Sequence, residues 1–399
     1  MAIKNELYLT TQSDLEKMIA SGMQEGQGID FKKEYPSQWN DKAKHSLAAD
    51  AVAFANANGG ILVFGMAQGT NAEAIGINPQ TIISTDDERV KLHSFLTDLV
   101  EPRLPGIQTH AVPVSVNGVS GHVMLVQIPQ SWVGPHRSKM GNNFFVRDGL
   151  KNKPLDIPEI RNQFLRSEDR ELKLKNFRTD RLSKILTGDT PFKLVAGAVL
   201  VVHVVPVQAV LGQVAPEVVQ YIGIGRQIPI IAASGGAANF KLNLDGAAGA
   251  RNFSDGATHG YTLIFRNGFI ESTWVQTTKS PAPNSKPALP SGSFEGYLKN
   301  FVEKSIAEIS HWGATGEVLV MLSLLRSKGM RLAYSKEFLG DENFEFDREV
   351  LAFPEIVVVP ENGHLMKQMK PLLDMVWQAA GSLGSPNFND AGDWIPPTH

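Results

Sequence analysis

Apolar positions along this chain change period several times, and each change marks an element. Ala48, Ala51, Val52 and Ala55 recur at three- and four-residue steps among good helix formers, which predicts a helix over Lys42 to Ala57 with one small-residue face. Asn58, Gly59 and Gly60 tolerate positive φ and turn the chain sharply. The unbroken apolar run Ile61 to Met66 then predicts a strand buried on both faces. Upstream, Thr11 or Ser13 caps a helix running to about Ala20, with Leu15, Met18 and Ile19 at helical spacing and a stop at Gly22. Between these helices, Ile29 to Lys33 alternates as a short strand does. Ile29 and Phe31 take one side, and Asp30 and Lys32 are expected together on an exposed side, with Glu25 on a glycine-flanked loop free to converge on them.

Further along, Thr85-x-x-Glu88 predicts a capping box for a helix to about Val100, its buried stripe Val90, Phe95, Leu96 and Leu99, stopped by Glu101-Pro102. Asn117-Gly118 between two β-rich segments of Val112 to Ile128 is a hairpin signal. The loop from Trp132 to Gly141 collects aromatic, His and basic residues before a strand over Asn143 to Arg147. A long charged helix or helix pair follows from Pro158 to about Leu186, ended by Gly188 and Pro191. Beyond it, the apolar run Leu194 to Val205 reads as a core strand, and Tyr261 to Phe265 and Phe269 to Trp274 form a hairpin turned at Asn267-Gly268. Lys279 to Ser293 reads as a loop before a helix over Phe294 to Trp312 and a strand over Val318 to Leu324. The tail from Asn387 is expected to be surface coil.

With 399 residues, 42% of them hydrophobic, the chain can bury two or three cores. It has no cysteine, which excludes disulfides and thiolate metal sites. No run is apolar for long enough to span a bilayer, and the first residues lack a signal-peptide core, so no membrane partner and a cytoplasmic location are expected. A formal charge of -3 means that any grip on a phosphate backbone must come from a local patch.

The stretch AFANANGGILVFG, with Glu25, Asp30, Phe31 and Lys32 upstream and Glu101-Pro102 and Phe145-Val146-Arg147 downstream, resembles the signature of Schlafen-type AlbA-like domains of bacterial type. The resemblance covers roughly residues 1–165. It implies an α+β fold, a mixed-sheet AlbA-like domain, and a nucleic-acid-binding role. In ribonucleases of this family the acidic pair corresponding to Glu25 and Asp30 works with a third acidic residue just after the buried strand. Here Ala67-Gln68 holds that place. Unless Glu73 or another residue substitutes, that ligand is missing.

Two clusters of residues carry the candidate chemistry. Glu25 and Asp30 could hold Mg²⁺ or Mn²⁺ and, with Lys32, steady the charge that builds on a phosphate during hydrolysis. The plainer reading is a set of solvated strand charges. The second group is Lys32, Lys33, His136, Arg137, Lys139 and Arg147, which could follow a nucleic-acid backbone. Arg147-Asp148 could equally be a structural ion pair, and Trp132 either stacks on an unpaired base or packs. No G-x-x-x-x-G-K-[S/T] occurs, and Gly223-Ile-Gly225 lacks the third glycine of a dinucleotide fingerprint, so no ATP site is expected. His203, within its apolar run, reads as a satisfied core histidine; Arg251-Asn252 and Glu271 read as surface groups, and Asp374 and Trp377 as packing.

The expected organisation is an AlbA-like domain over residues 1–165, a helical connector over 166–187 and a second α+β domain over 188–399. The expected function is nucleic-acid binding, of DNA or structured RNA, in regulation or defence. A metal-dependent endoribonuclease and a non-enzymatic interaction module stay open as alternatives. A homodimer is expected by analogy with two-lobed Schlafen ribonucleases, since a single lobe could rebuild the clamp by pairing with its copy.

Overall fold

A computed structural model describes residues 7–104, 106–222, 230–231, 239–250, 253–254, 256–276, 288–333, 345–360 and 363–395. The fold is α+β. The chain divides into two compact units, Met1–Lys173 and Leu174–His399.

In the first unit the elements follow as α1 (Gln12–Ala20), β1 (Ile29–Lys32), α2 (Asp41–Ala55), β2 (Gly60–Phe64), β3 (Met66–Gln68), β4 (Ala74–Ile77), α3 (Thr85–Leu99), β5 (Val100–Glu101), β6 (Gln108–Val116), β7 (Val119–Ile128), β8 (Arg137–Ser138), β9 (Phe145–Asp148) and β10 (Lys151–Pro154). Then α4 (Ile157–Thr187) starts, a single 31-residue helix within which the boundary between the units falls. The central sheet has the order β1-β2-β7-β6, with β1 parallel to β2 and the other neighbours antiparallel.

The apolar run of β2 is explained by a layer on each side. Ile61 and Val63 pack with Leu15, Met18 and Phe31 on the α1 side, while Leu62 and Phe64 pack with Leu47, Ala51 and Ala55 of α2 on the other. Neighbouring β7 repeats the pattern, Val123 and Leu125 facing one way and Met124 and Val126 the other. Small residues along α2 let its backbone come close. Gly59 has φ 74°, and a Cβ there would lie 2.7 Å from the Gln130 nitrogen, so the turn between α2 and β2 requires glycine. The β6–β7 hairpin turns at Asn117 and Gly118, both at positive φ, with Val116 paired to Val119, as its sequence predicts.

Two sequence expectations need correcting here. The α3 cap is Ser84, whose side chain accepts from the Asp87 N–H, and the buried positions are Leu92 and Leu96. Val90 is exposed. The alternation in β1 holds, but its polar face is not open to solvent, because α2 lies over it and Asp30 is only 4% exposed.

The second unit is built on an eight-stranded sheet. Its order is Asn239–Leu242, Gly246–Ala250, Tyr261–Phe265, Ile270–Gln276, Ala198–Pro206, Val318–Leu325 and Val350–Ala352, with Ile356–Val358 also pairing on Val318–Leu325. Leu182 and Ile185 of α4 pack on one face against Val199, Val201 and Val275. Helices Ser291–His311 and Leu365–Ala379 contribute Phe294, Leu298, Leu372 and Val376 to the core on the other face, against Leu200, Val202 and Leu322. The loop expected over Lys279 to Ser293 ends earlier, since Ala288–Pro290 is a strand and the helix begins at Ser291. Residues 279–287, Gly223-Ile-Gly225 and Arg251-Asn252 lie outside the described residues.

Glu271 is a further correction: instead of lying at the surface it is wholly buried. Arg181 donates to both its oxygens at 2.9 Å, His203 Nε2 lies 3.0 Å from Oε2, and the Tyr261 hydroxyl donates to Oε1 at 2.8 Å. His203 is thus a core histidine with a partner, in cross-strand register with Glu271. Trp377 is buried and donates to Glu295, as packing predicts. Part of the tail is also built in: Asn387 and Trp394 donate to the same Glu295 carboxylate.

Candidate nucleic-acid interface

Under α2, the polar face of β1 closes into a ring of side chains. Asp30 Oδ1 accepts from Arg147 Nη2 at 2.8 Å, and its Oδ2 lies 2.6 Å from Lys32 Nζ. Lys32 Nζ is also 3.4 Å from Asp50 Oδ2. Asn152 completes the circuit, donating to Asp50 Oδ1 at 2.5 Å and accepting from Arg147 Nη1 at 3.1 Å. A lone carboxylate at the sheet-facing side of α2 needs such partners, because an unpaired buried charge is costly.

Burial sets much of the electrostatics. Burial raises the Asp50 carboxyl above its ordinary range, against the lowering effect of Lys32. For Lys32, burial acts to lower the pKa, but Asp50 and Asp30 outweigh it and the ammonium is stabilised. Burial also raises Glu25, opposed by a hydrogen bond from Phe31.

Glu25 and Asp30 are each engaged by protein donors. Glu25 Oε1 accepts from the Phe31 N–H and from Gln68 Nε2, both at 2.5 Å. The Gln68 amide also donates to the Phe31 carbonyl at 2.6 Å. A neutral donor therefore stands beside Glu25, where the family's third acid is expected. Glu73 accepts from the Asn71 N–H in its own turn. Among the described residues, no three His, Asp or Glu side chains are grouped to hold a metal. A Mg²⁺ or Mn²⁺ ion fits this donor set poorly, since cations lie on both Asp30 oxygens and N–H donors take one of the two Glu25 oxygens.

The basic residues separate into two sorts. Arg147 is buried, not solvent-facing, and its partner is Asp30, not Asp148. Its Nε also reaches the carbonyls of Gly26 and Gly149, and the guanidinium lies 5.1 Å from the centre of the Phe54 ring. It pins the loop before β1 to the β9–β10 turn. His136 is fully buried too; its Nδ1 donates to the Pro102 carbonyl at 2.7 Å, and burial lowers its pKa. Asn56 bonds both the N–H and the carbonyl of His136 and also reaches the Phe145 carbonyl, which ties the loop to α2. By contrast, Lys33 and Lys139 are exposed. Arg137 is partly exposed and forks onto Glu101 at 2.7 and 3.0 Å. Trp132 is half-buried, and its carbonyl accepts from Ser167.

Sequence reasoning missed Asp50, Asn152, Tyr35 and Trp39. Asp50 was visible as the single charge in an otherwise apolar helix face. Beside it, a cleft of about 570 Å³ opens between Lys32, Tyr35, Trp39, Asn40 and Asp50.

Residues 25–156 match the family described as Schlafen, AlbA_2. The chain carries an AlbA_2 domain at its N-terminus. The ionic ring, the cleft and the exposed lysines all lie within this AlbA_2 segment. No curated protein matches the chain. Among solved structures, the chain is similar to the DIP2311 protein of Corynebacterium diphtheriae, at 20% identity and a TM-score of 0.25. That alignment covers 36% of this chain and 26% of the other. No helix among the described residues is long and apolar enough to cross a membrane.

Proposed function

We propose that the AlbA_2 domain is a nucleic-acid-binding module that contacts the phosphate backbone and needs no ATP. The match over residues 25–156 carries this reading. The arrangement of charges supports it. Lys33 and Lys139 are exposed, and Arg137 is held by an exposed pair with Glu101, which is weak and exchangeable, and by a long hydrogen bond to Asn142. Asp30 and one Glu25 oxygen, in contrast, are engaged by internal partners, which favours binding over cleavage.

Gel-shift titrations of duplex DNA, single strands and tRNA against salt test the proposal. Each phosphate contact that is lost should flatten the log–log salt dependence by about 0.7 on single strands or about 0.9 on duplex. The pair Lys33→Glu and Lys139→Glu should weaken binding and flatten that slope. Absence of binding at low salt, or a slope indifferent to both changes, removes the proposal.

A further inference from the structure

The cleft beside the ionic ring has the makings of a site that phosphate contacts alone do not require. Its about 570 Å³ falls within the about 300–1,000 Å³ typical of small-ligand sites. Two aromatic side chains line it, and they are fixed in place. Tyr35 and Trp39 meet edge to face at 5.6 Å, Tyr35 leans on Phe64 and Trp39 on Phe95. A single carboxylate holds both polar edges: Glu88 Oε2 accepts from the Tyr35 hydroxyl at 2.9 Å and from Trp39 Nε1 at 3.4 Å. Gln80 holds the segment's backbone by accepting from the Tyr35 N–H and donating to the Lys33 carbonyl.

The charges of the cleft argue for a neutral occupant. Lys32 and Lys42 line it together with Glu34 and Asp50, and the Lys32 ammonium is already shared between Asp30 and Asp50. A phosphate would find no surplus positive charge at its floor. Gln38, Asn40 and Ser46 add neutral donors and acceptors to the lining. Preformed aromatic faces, balanced charge and mixed hydrogen-bonding groups suit a flat, neutral, hydrogen-bonding ring. Lys33, exposed just past the end of β1, is next in sequence to Lys32 of the lining.

We infer that this cleft takes an unpaired nucleobase of a single strand, stacked on Trp39. The inference rests on the nucleic-acid reading above and adds to it a preference for strands whose bases are free. Stacking on aromatic side chains is tolerant of sequence, so no strong base code is expected.

The test compares a ten-nucleotide single strand with an abasic strand carrying the same phosphates, each titrated against the full chain at fixed salt. The wild-type protein should bind the base-bearing strand between about fivefold and a hundredfold more tightly. Trp39→Leu should abolish that preference while leaving affinity for the abasic strand and its salt slope unchanged, and Trp39→Phe should restore much of it. The wild-type comparison needs no variant to fold. Equal binding of both strands by wild type, or a preference that survives Trp39→Leu, overturns the cleft as a base site while leaving backbone binding intact. Failure to bind either strand at low salt overturns the base site, and the backbone reading falls with it only if duplex DNA and tRNA also fail to bind.

Discussion

Each unit buries an ionic group in the same way, by placing a strand carboxylate beneath a covering helix, yet the two groups differ in access to solvent. In the first unit Asp30 lies under α2, and the ring it belongs to opens through Lys32, whose side chain is 33% exposed, into a cleft. In the second, Glu271 lies under α4, and Arg181, His203 and Glu271 are sealed. Buried pairing alone is thus a poor marker of function, since desolvation must be offset wherever a carboxylate is covered. What separates the two is the route to solvent: Lys32 opens into a cleft, whereas the rings beside the second group, Phe177 against His203 and Phe265 against Arg181, accompany side chains that are sealed.

The largest expected effect lies in the sealed group. Arg181→Ala leaves Glu271 buried with His203 and Tyr261 alone, and should cost about 3–5 kcal/mol. Urea unfolding of the second unit measures it. Burial acts to raise the Glu271 pKa, but the bonds from His203 and Arg181 outweigh it and bring it down to about 2. A depressed carboxylate contributes stability above its ordinary pKa of 4.5 and loses it as pH falls toward about 2. That contribution is on the order of 3 kcal/mol. A loss below about 1 kcal/mol on Arg181→Ala would show that water reaches the group, and the contrast between the units would collapse.

Arg147→Ala should cost less, about 2–3 kcal/mol, although Arg147 is as buried as Arg181. Asp30 keeps Lys32 at 2.6 Å, and the cleft lets water approach the vacated site. The same change frees the loop at Gly26, so backbone amides from Gly26 to Ile29 should exchange faster with solvent. A stability loss equal to that of Arg181→Ala would mean that the open ring behaves as a sealed one.

Much of the first unit's fold could be read from periodicity because its packing is local in sequence. The α2 small-residue face, the Gly59 turn, β2 and the Asn117-Gly118 hairpin each announce themselves within about a dozen residues. The site was less legible. Alternation showed that Asp30 and Lys32 share a face, but which layer covers that face depends on the path of α2 across β1, and no local pattern encodes that. Arg147 meets Asp30 across 117 positions. For the same reason Glu271 read as a surface group: its partners Arg181 and His203 come from another helix and another strand. Tyr35 and Trp39 follow β1 without a periodic pattern, and Glu88, which orients both rings, is 53 positions from the first.

The smallest expected effect is one of sign, and it separates the two groups most cleanly. Burial raises Asp50 more than Lys32 and Asn152 lower it, because Lys32 is shared with Asp30. A raised carboxylate contributes stability that is full below its ordinary pKa of 3.8 and is lost as pH rises through the folded value. Glu271, held by Arg181, His203 and Tyr261 at once, runs the other way. Asp50→Asn keeps an oxygen for Asn152 but turns an NH2 toward Lys32, and Glu271→Gln turns one toward its own donors; both remove the titration, so it is the pH dependence relative to wild type that is read. Urea midpoints of wild type and both variants, taken from neutral pH down to about pH 3, isolate each group from all other carboxylates. Relative to Asp50→Asn, wild type should gain stability as pH falls toward 3.8; relative to Glu271→Gln, it should lose stability once pH drops below 4.5. If wild type instead weakens against Asp50→Asn on acidification, ion pairing dominates burial at Asp50, and the first group is as tightly held as the second.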